Sequence, residues 1–323
     1  MISLATHSTP NFLTLAVTQI SVWKAPISLS LLLASDSKEA LQDIQKAQKC
    51  NKDFRKWVSI HVVYPKSLHD SCPILPIAEN LEVDCSTFDP IILFNKYLPP
   101  FGIYPINVMR NVARIGAATD YSLISDVEMY YSEDFEEKLR PVVHKYLKNE
   151  QKNAIIIRRF EIEEKAIDQM PKNVIELKKL LNKKKMYFFH QLIFSSGHRI
   201  DRQSKWIEKS IRSDHLTVDE QRYRGSAWEP QPILHRNAPL CYERAPTRQR
   251  DMQYCIYELC RSGYHFLVPT HVFNVHPGVK RTASAYDNLV TLHQKPLTEN
   301  AMANFSHLMD KKYGMNNRKC GRF

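Results

Sequence analysis

The stretch YPINVMRNVARIGAATDYSLISDVEMYYS, residues 104–132, decides the fold. It reads as helix, tight turn, short buried strand and then two carboxylates. Pro105 sits where the first turn of a helix tolerates it. Asn107, Arg110, Asn111 and Arg114 follow at i, i+3, i+4 and i+7, so all four share one helical face. Val108, Val112 and Ile115 fall on another, apolar face. Gly116 is placed to stop the helix. Residues 121–125 (YSLIS) form a mostly apolar run of strand length. Asp126 and Glu128 close it two residues apart, so in an extended chain both carboxylates point the same way.

Two hard oxygen donors on one side of a strand end suit Mg²⁺ or Mn²⁺, ions that also take phosphate oxygens as ligands. A helix face with two guanidiniums and two amides has the donors to hold a nucleotide diphosphate or a sugar. An isolated D-x-E is a weak signal, because a solvated helix followed by an acidic turn spells the same letters.

Toward the N-terminus, residues 12–23 mix β-branched and apolar side chains and predict a strand. Residues 26–34 predict a second strand, with Ser-Asp-Ser leading into an amphipathic helix over 38–49, and residues 57–64 a third strand. Strand, helix and strand at this spacing describe an open, mostly parallel sheet. Residues 65–104, rich in Pro and Asn, predict a long loop with a short apolar break at 91–94.

Toward the C-terminus, residues 132–149 predict a helix with acidic residues early and basic ones late, as its dipole favours. Residues 154–158 predict a buried strand that 160–163 continue, and 171–185 a lysine-rich helix. Residues 247–260 predict a helix and 263–269 a strand. The tail after Arg281 is polar and basic, with weak helical patterning around 301–309.

The chain has 323 residues, enough for one large α/β domain, with 43% hydrophobic and 24% charged residues. Its 45 basic against 34 acidic residues give a net charge of +11. That charge suits nucleic acid, an anionic membrane or anionic sugars and nucleotides. Zinc-finger spacing, RNP-like aromatic strands and basic heptads are all missing, so nucleic acid is set aside. Seven cysteines include no C-x-x-C. Cys72 and Cys85 could bridge a loop in an oxidising compartment, whereas Cys255 and Cys260 fit a helix core better than a disulfide. Asn304-Phe305-Ser306 is a glycosylation sequon. No apolar run is long enough to span a membrane, and the first residues make a poor signal peptide.

The pattern N-x-x-R-N-x-A-R, then A-x-T-x-Y, strand and D-x-[DE], resembles glycosyltransferase family 49. Further matches are Trp23 before Pro26-Ile27-Ser28, the Phe160-Glu161-Ile162 segment and Trp228-Glu229-Pro230. Glu243-Arg244 stands in the family's D-E-R-F segment, with Tyr242 for the Asp and Ala245 for the Phe. The run from Gly263 to His276 matches G-Y-x-F-x-V followed by a histidine. In the family the acidic pair is usually D-x-D, so Glu128 is a departure.

The resemblance implies an α/β GT-A fold: a Rossmann-like, mostly parallel sheet flanked by helices, fused to an acceptor-binding half. The nucleotide-sugar half would span residues 1–132, the acceptor half 133–281, and a basic tail 282–323. It implies metal-dependent, inverting transfer from a UDP-sugar, glucuronate or xylose, to a glycan or glycoprotein acceptor. Mn²⁺ or Mg²⁺ would be held by Asp126, Glu128 and His276. Asn107, Arg110, Asn111, Arg114 and Asp126 would contact the donor, and Trp228, Glu229 and His190 the acceptor. Glu243, then Asp251, are the candidate bases. Family members are generally anchored in the Golgi, whereas this chain reads as starting at the catalytic domain without an anchor. A homodimer is left open. The rival reading is an inactive protein of the same fold that binds glycan or nucleotide, favoured by Glu128 and Tyr242.

Overall fold

The computed structural model describes residues 1–33, 38–66, 71, 82–97, 103–148, 151–315 and 319–323. β1 (Ile2–Ser8) opens the chain, over residues with no plain strand pattern. α1 (Leu13–Trp23) then stands where the sequence predicts a strand. Thr14, Val17, Thr18, Ile20 and Val22 favour extended chain locally. Leu13, Ala16, Ile20 and Trp23, however, recur at helical spacing, and that is the face the core takes up.

β2 (Ile27–Leu32), α2 (Lys38–Cys50), a short α3 (Lys52–Trp57) and β3 (Val58–Val63) follow, and β1, β2 and β3 pair in parallel. The Ser-Asp-Ser lead into α2 lies outside the described residues. Within the predicted loop, Asp89 caps a further helix, α4 (Pro90–Asn95), by accepting from the Ile91 amide. α5 (Ile106–Ile115) and β4 (Tyr121–Ile124) form as their pattern predicts.

β5 (Tyr130–Tyr131), α6 (Phe135–Tyr146) and the long β6 (Asn153–Ile162) come next. After them run α7 (Val174–Asn182), β7 (Met186–Phe188), α8 (Gln191–His198), α9 (Gln203–Arg212), β8 (Val218–Gln221) and β9 (Gln231–His235). The chain closes with α10 (Asp251–Arg261), β10 (His265–Pro269), β11 (Phe273–Pro277) and α11 (Ala285–Tyr313). α11 corrects the reading of residues 282–323 as a weakly patterned tail. Its Ser284–Asp287 capping box and the burial of Val290, Gln294, Ala301, Phe305 and Met309 fix it as helix, although Pro296 lies inside.

The described strands join one sheet with main order β3-β2-β1-β4-β9-β6-β10-β8. β1 and β4 pair in parallel, and β9 runs antiparallel between β4 and β6. The two hydrophobic cores are the two faces of this sheet. On β6, Ile155 and Ile157 enter one core while Ala154 and Ile156 enter the other, the alternation a twice-covered strand requires. On β2 the alternation is Leu against Ser. Ser28 Oγ donates to the Ala113 carbonyl at 2.6 Å and Ser30 Oγ to that of Met109 at 2.7 Å, so small side chains let α5 lie close to the sheet.

Gly116 ends α5 with φ −77°, in helical rather than left-handed conformation. Its lack of a side chain answers instead to His61, whose ring would lie 2.3 Å from any Cβ placed there.

The described cysteines pair as Cys50–Cys85, Cys241–Cys255 and Cys260–Cys320. Cys255 and Cys260 lie in the core and are not bonded to each other, as read, but each is bridged to a segment outside α10, which the sequence reading did not expect. Cys85 is bonded to Cys50, and Cys72 lies outside the described residues.

Candidate active site

β1 and β4 are parallel neighbours, so their carboxyl ends, near Ser8 and Ile124, emerge together. In open α/β sheets that is the rim where ligands bind. Asp126 and Glu128 lie just beyond β4, but the chain turns at residues 127–128 rather than continuing extended. The strand argument for parallel carboxylates therefore does not carry over. Buried Gln19 on α1 pins this turn, its Nε2 donating to the carbonyls of Val127 (2.7 Å) and Met129 (2.5 Å).

Asp126 Oδ2 accepts from Arg159 Nη2 at 2.8 Å and from Gln231 Nε2 at 3.3 Å. Burial alone would raise its carboxyl, but the charges of Arg159 and Arg110 outweigh this and hold it far below the usual range. The Arg159 guanidinium lies 3.5 Å from the centre of the Phe189 ring. Glu128 Oε1 is 3.5 Å from His276 Nε2, and His276 Nδ1 is 3.2 Å from the Gly278 carbonyl. Burial works against a charged His276, yet the hydrogen bond and charge of Glu128 prevail and raise its imidazole above the ordinary value.

These donors bear on the expected metal site. Oxygen from Glu128 and nitrogen from His276, with the other ring nitrogen against a carbonyl, suit Mn²⁺ better than Mg²⁺, which prefers oxygen donors throughout. Asp126 is engaged by a guanidinium instead. Among the described residues no three His, Cys, Asp or Glu side chains are gathered to hold an ion.

The polar stripe of α5 faces inward. Asn107 Nδ2 donates to the carbonyls of Tyr242 (2.9 Å) and Asp251 (2.8 Å). Asn111 Nδ2 donates to the Cys241 carbonyl and to Glu243 Oε1, while its oxygen accepts from the Cys241 amide. Arg114 reaches the carbonyls of Pro239 (2.7 Å) and Ala238 (3.0 Å). All four residues are buried. The stripe thus clasps residues 238–251, and of the four Arg110 is the one whose charge acts on Asp126.

Arg110 Nη1 also pairs with Asp251 Oδ1 at 2.8 Å, which brings Asp251 into the site. Glu243 is turned to Asn111 and lines a separate groove of about 380 Å³ between residues 242–247 and α11. Trp228 corrects an expectation: only 1% exposed, with Nε1 donating to the Arg199 carbonyl, it is a core side chain with no face for a sugar.

Glu229 lies just before β9, its amide bonded to the Gly197 carbonyl at 2.7 Å. Its Oε1 is 3.1 Å from His198 Nε2. Burial, joined by the charge of Asp251, pushes its carboxyl up to about 8. Burial lowers His198 to about 3, with Arg159 adding to the effect. His190 Nδ1 approaches His198 Nε2 at 3.1 Å, and its Nε2 is 3.6 Å from Oε1 of the fully buried Glu161. Burial, His198 and Arg159 hold His190 far below its ordinary value.

Two residues that the sequence reading passes over belong here. His7, at the end of β1, has Nδ1 2.9 Å from the Tyr104 hydroxyl, and its buried Nε2 has no partner. Burial, with Arg110, lowers its imidazole to about 4. Arg159 is the other. Its signal is a charged residue inside an otherwise apolar buried strand, IIIRRFEI, a position that asks for a partner.

The sequence family described as "Glycosyl-transferase for dystroglycan" matches residues 1–314. Human beta-1,4-glucuronyltransferase 1 is 28% identical over 300 residues, covering 86% of this chain and 68% of its own length. The chicken xylosyl- and glucuronyltransferase LARGE2s is 25% identical over 259 residues, covering 79% of this chain and 29% of its own. The crystal structure of S. aureus TarS aligns with 98% of this chain and 73% of its own at TM-score 0.40 and 9% identity, too distant a likeness to argue from.

Proposed function

Starting from the glycosyltransferase family to which the chain belongs, described as acting on dystroglycan, we propose that it moves glucuronate or xylose from a UDP-sugar to a glycan on a glycoprotein. The observation that carries the reading is the cluster at the joint ends of β1 and β4, where Asp126 and Glu128 meet Arg110, Arg159, His7 and His276. A departing diphosphate gathers negative charge. Guanidiniums fixed in a buried site offset that charge without reorganising during the reaction. Neutral His7 leaves a ring nitrogen free at the same rim for a donor contact. Asn107, Asn111 and Arg114 serve the donor indirectly, by fixing the 238–251 segment that carries Asp251.

Glu128 and His276 are the residues we assign to Mn²⁺ or Mg²⁺, with Asp126 joining by exchanging its bond to Arg159. The ion would supply further positive charge to the diphosphate. His190 and Glu229 line the acceptor side in this reading. The halves split near residue 132, and the site lies in the Golgi lumen. Three disulfides support an oxidising compartment. No described helix is long and apolar enough to cross a membrane.

The test is UDP release from UDP-glucuronate and UDP-xylose with a panel of p-nitrophenyl glycosides as acceptors, in Mn²⁺ and in EDTA. Release is expected in Mn²⁺ and not in EDTA, and His276→Ala should raise the Mn²⁺ concentration needed for half-maximal rate at least tenfold. Full activity in EDTA would remove the metal from the proposal, and no release from either donor would end it.

A further inference from the structure

An inverting transfer needs a carboxylate or imidazole at the acceptor hydroxyl, and the site contains several carboxylates. Most are already committed. Asp126 is held by Arg159, Asp251 by Arg110 and Glu128 by His276, so each has a cation, or a side chain able to become one, drawing on its lone pairs. Glu161 is fully buried where no substrate reaches it. Glu243 is bonded to Asn111 on the wall of another groove.

Glu229 differs from all of them. Its side chain is 17% exposed, and its ion-pair-distance partner among the described residues is His198, which stays uncharged. Topology places it well. β9 runs antiparallel to β4 with Leu123 opposite Ile233, so the residues just before β9 lie across from those just after β4. Gln231, two residues beyond Glu229, touches Asp126 itself. The Glu229–Gly197 backbone bond fixes the approach.

We infer that Glu229 is the catalytic base of the transfer, resting on the reading of the protein as a UDP-sugar transferase, and that His198 is a positioning residue for it. The acceptor O–H proton passes to the Glu229 carboxylate as the acceptor oxygen bonds to the anomeric carbon. The bond from that carbon to the diphosphate oxygen breaks, and its electron pair leaves on UDP.

The groups acting on Glu229 are His198 from α8, Asp251 from the start of α10, Arg110 from α5, Arg159 from β6 and Asp126 after β4. Asp251 and Asp126 oppose its ionisation, whereas Arg110 and Arg159 favour it. A base poised near the working pH combines availability with strength.

Three preparations decide the matter: wild type, Glu229→Gln and Asp251→Asn, each assayed for transfer across pH 5.5–9 and titrated calorimetrically with UDP in Mn²⁺. Wild-type kcat/KM should climb along an alkaline-going limb. Glu229→Gln should lose at least about 100-fold in kcat and lose the limb, with UDP affinity unchanged within threefold. Asp251→Asn should move the limb to lower pH, because a negative charge opposing ionisation has gone. A Glu229→Gln enzyme that keeps a third of its activity, or keeps the limb, overturns the assignment while leaving the transferase reading standing. A wild type that transfers from neither donor overturns both.

Discussion

Gly116 shows how one residue can be read correctly in position and wrongly in cause. Its place after the last turn of α5 was open to sequence reasoning, but the left-handed cap that usually explains such a glycine is not used. The constraint is the His61 ring from β3, a neighbour 55 positions away in sequence that no local pattern discloses. Gly116→Ala should therefore destabilise by about 1–3 kcal/mol in urea unfolding, the usual cost of overpacking. Adding His61→Ala should recover most of that loss, and a double variant no better than the single would show the contact to be harmless. Trp228 teaches the same lesson from the other side, since its letters fit a sugar platform and burial alone rules that out.

Among the elements, α5 combines a legible pattern with a hidden purpose. The spacing of Asn107, Arg110, Asn111 and Arg114 fixed the polar face, but whether that face meets a ligand or the protein depends on where residues 238–251 pack. Asn111 satisfies both the amide and the carbonyl of Cys241. Asn111→Ala strands two buried backbone groups, so a loss of about 2–6 kcal/mol is expected at about 1–3 kcal/mol for each. Faster amide exchange should be confined first to residues 238–251. Uniform exchange across the molecule would argue against the clasp. α1 and α11 illustrate the limits of local propensity. β-branched residues disguised one helix and weak apolar patterning the other, and in both the buried face decided the outcome.

For the whole molecule, burial of imidazoles sets the response to acid. His7, His190 and His198 are all lowered from their ordinary value, so the unfolded chain binds protons before the folded one does. Their stabilisation is complete above about pH 6.5 and is lost as pH falls toward the folded values, at up to about 1.4 kcal/mol per pH unit for each group. Raised Glu229, Glu161 and His276 act in the opposite sense, favouring the folded state as acid is added, but with His61 also lowered they are three against four. The urea midpoint should therefore fall between pH 7 and pH 5, and His198→Gln should flatten the fall. A midpoint that rises over that range would contradict the balance.

The α/β class, the β-α-β opening and the acidic pair at a strand end were legible from local spacing, and the family from the resemblance of short motifs, because side-chain periodicity and motifs are properties of adjacent residues. Disulfide partners, the Arg159–Asp126 pair, the inward turn of the α5 stripe and the pairing of Glu229 with an uncharged His198 were decided only on folding. Each depends on which distant segments share one buried, weakly screened space, and chain order does not encode that directly.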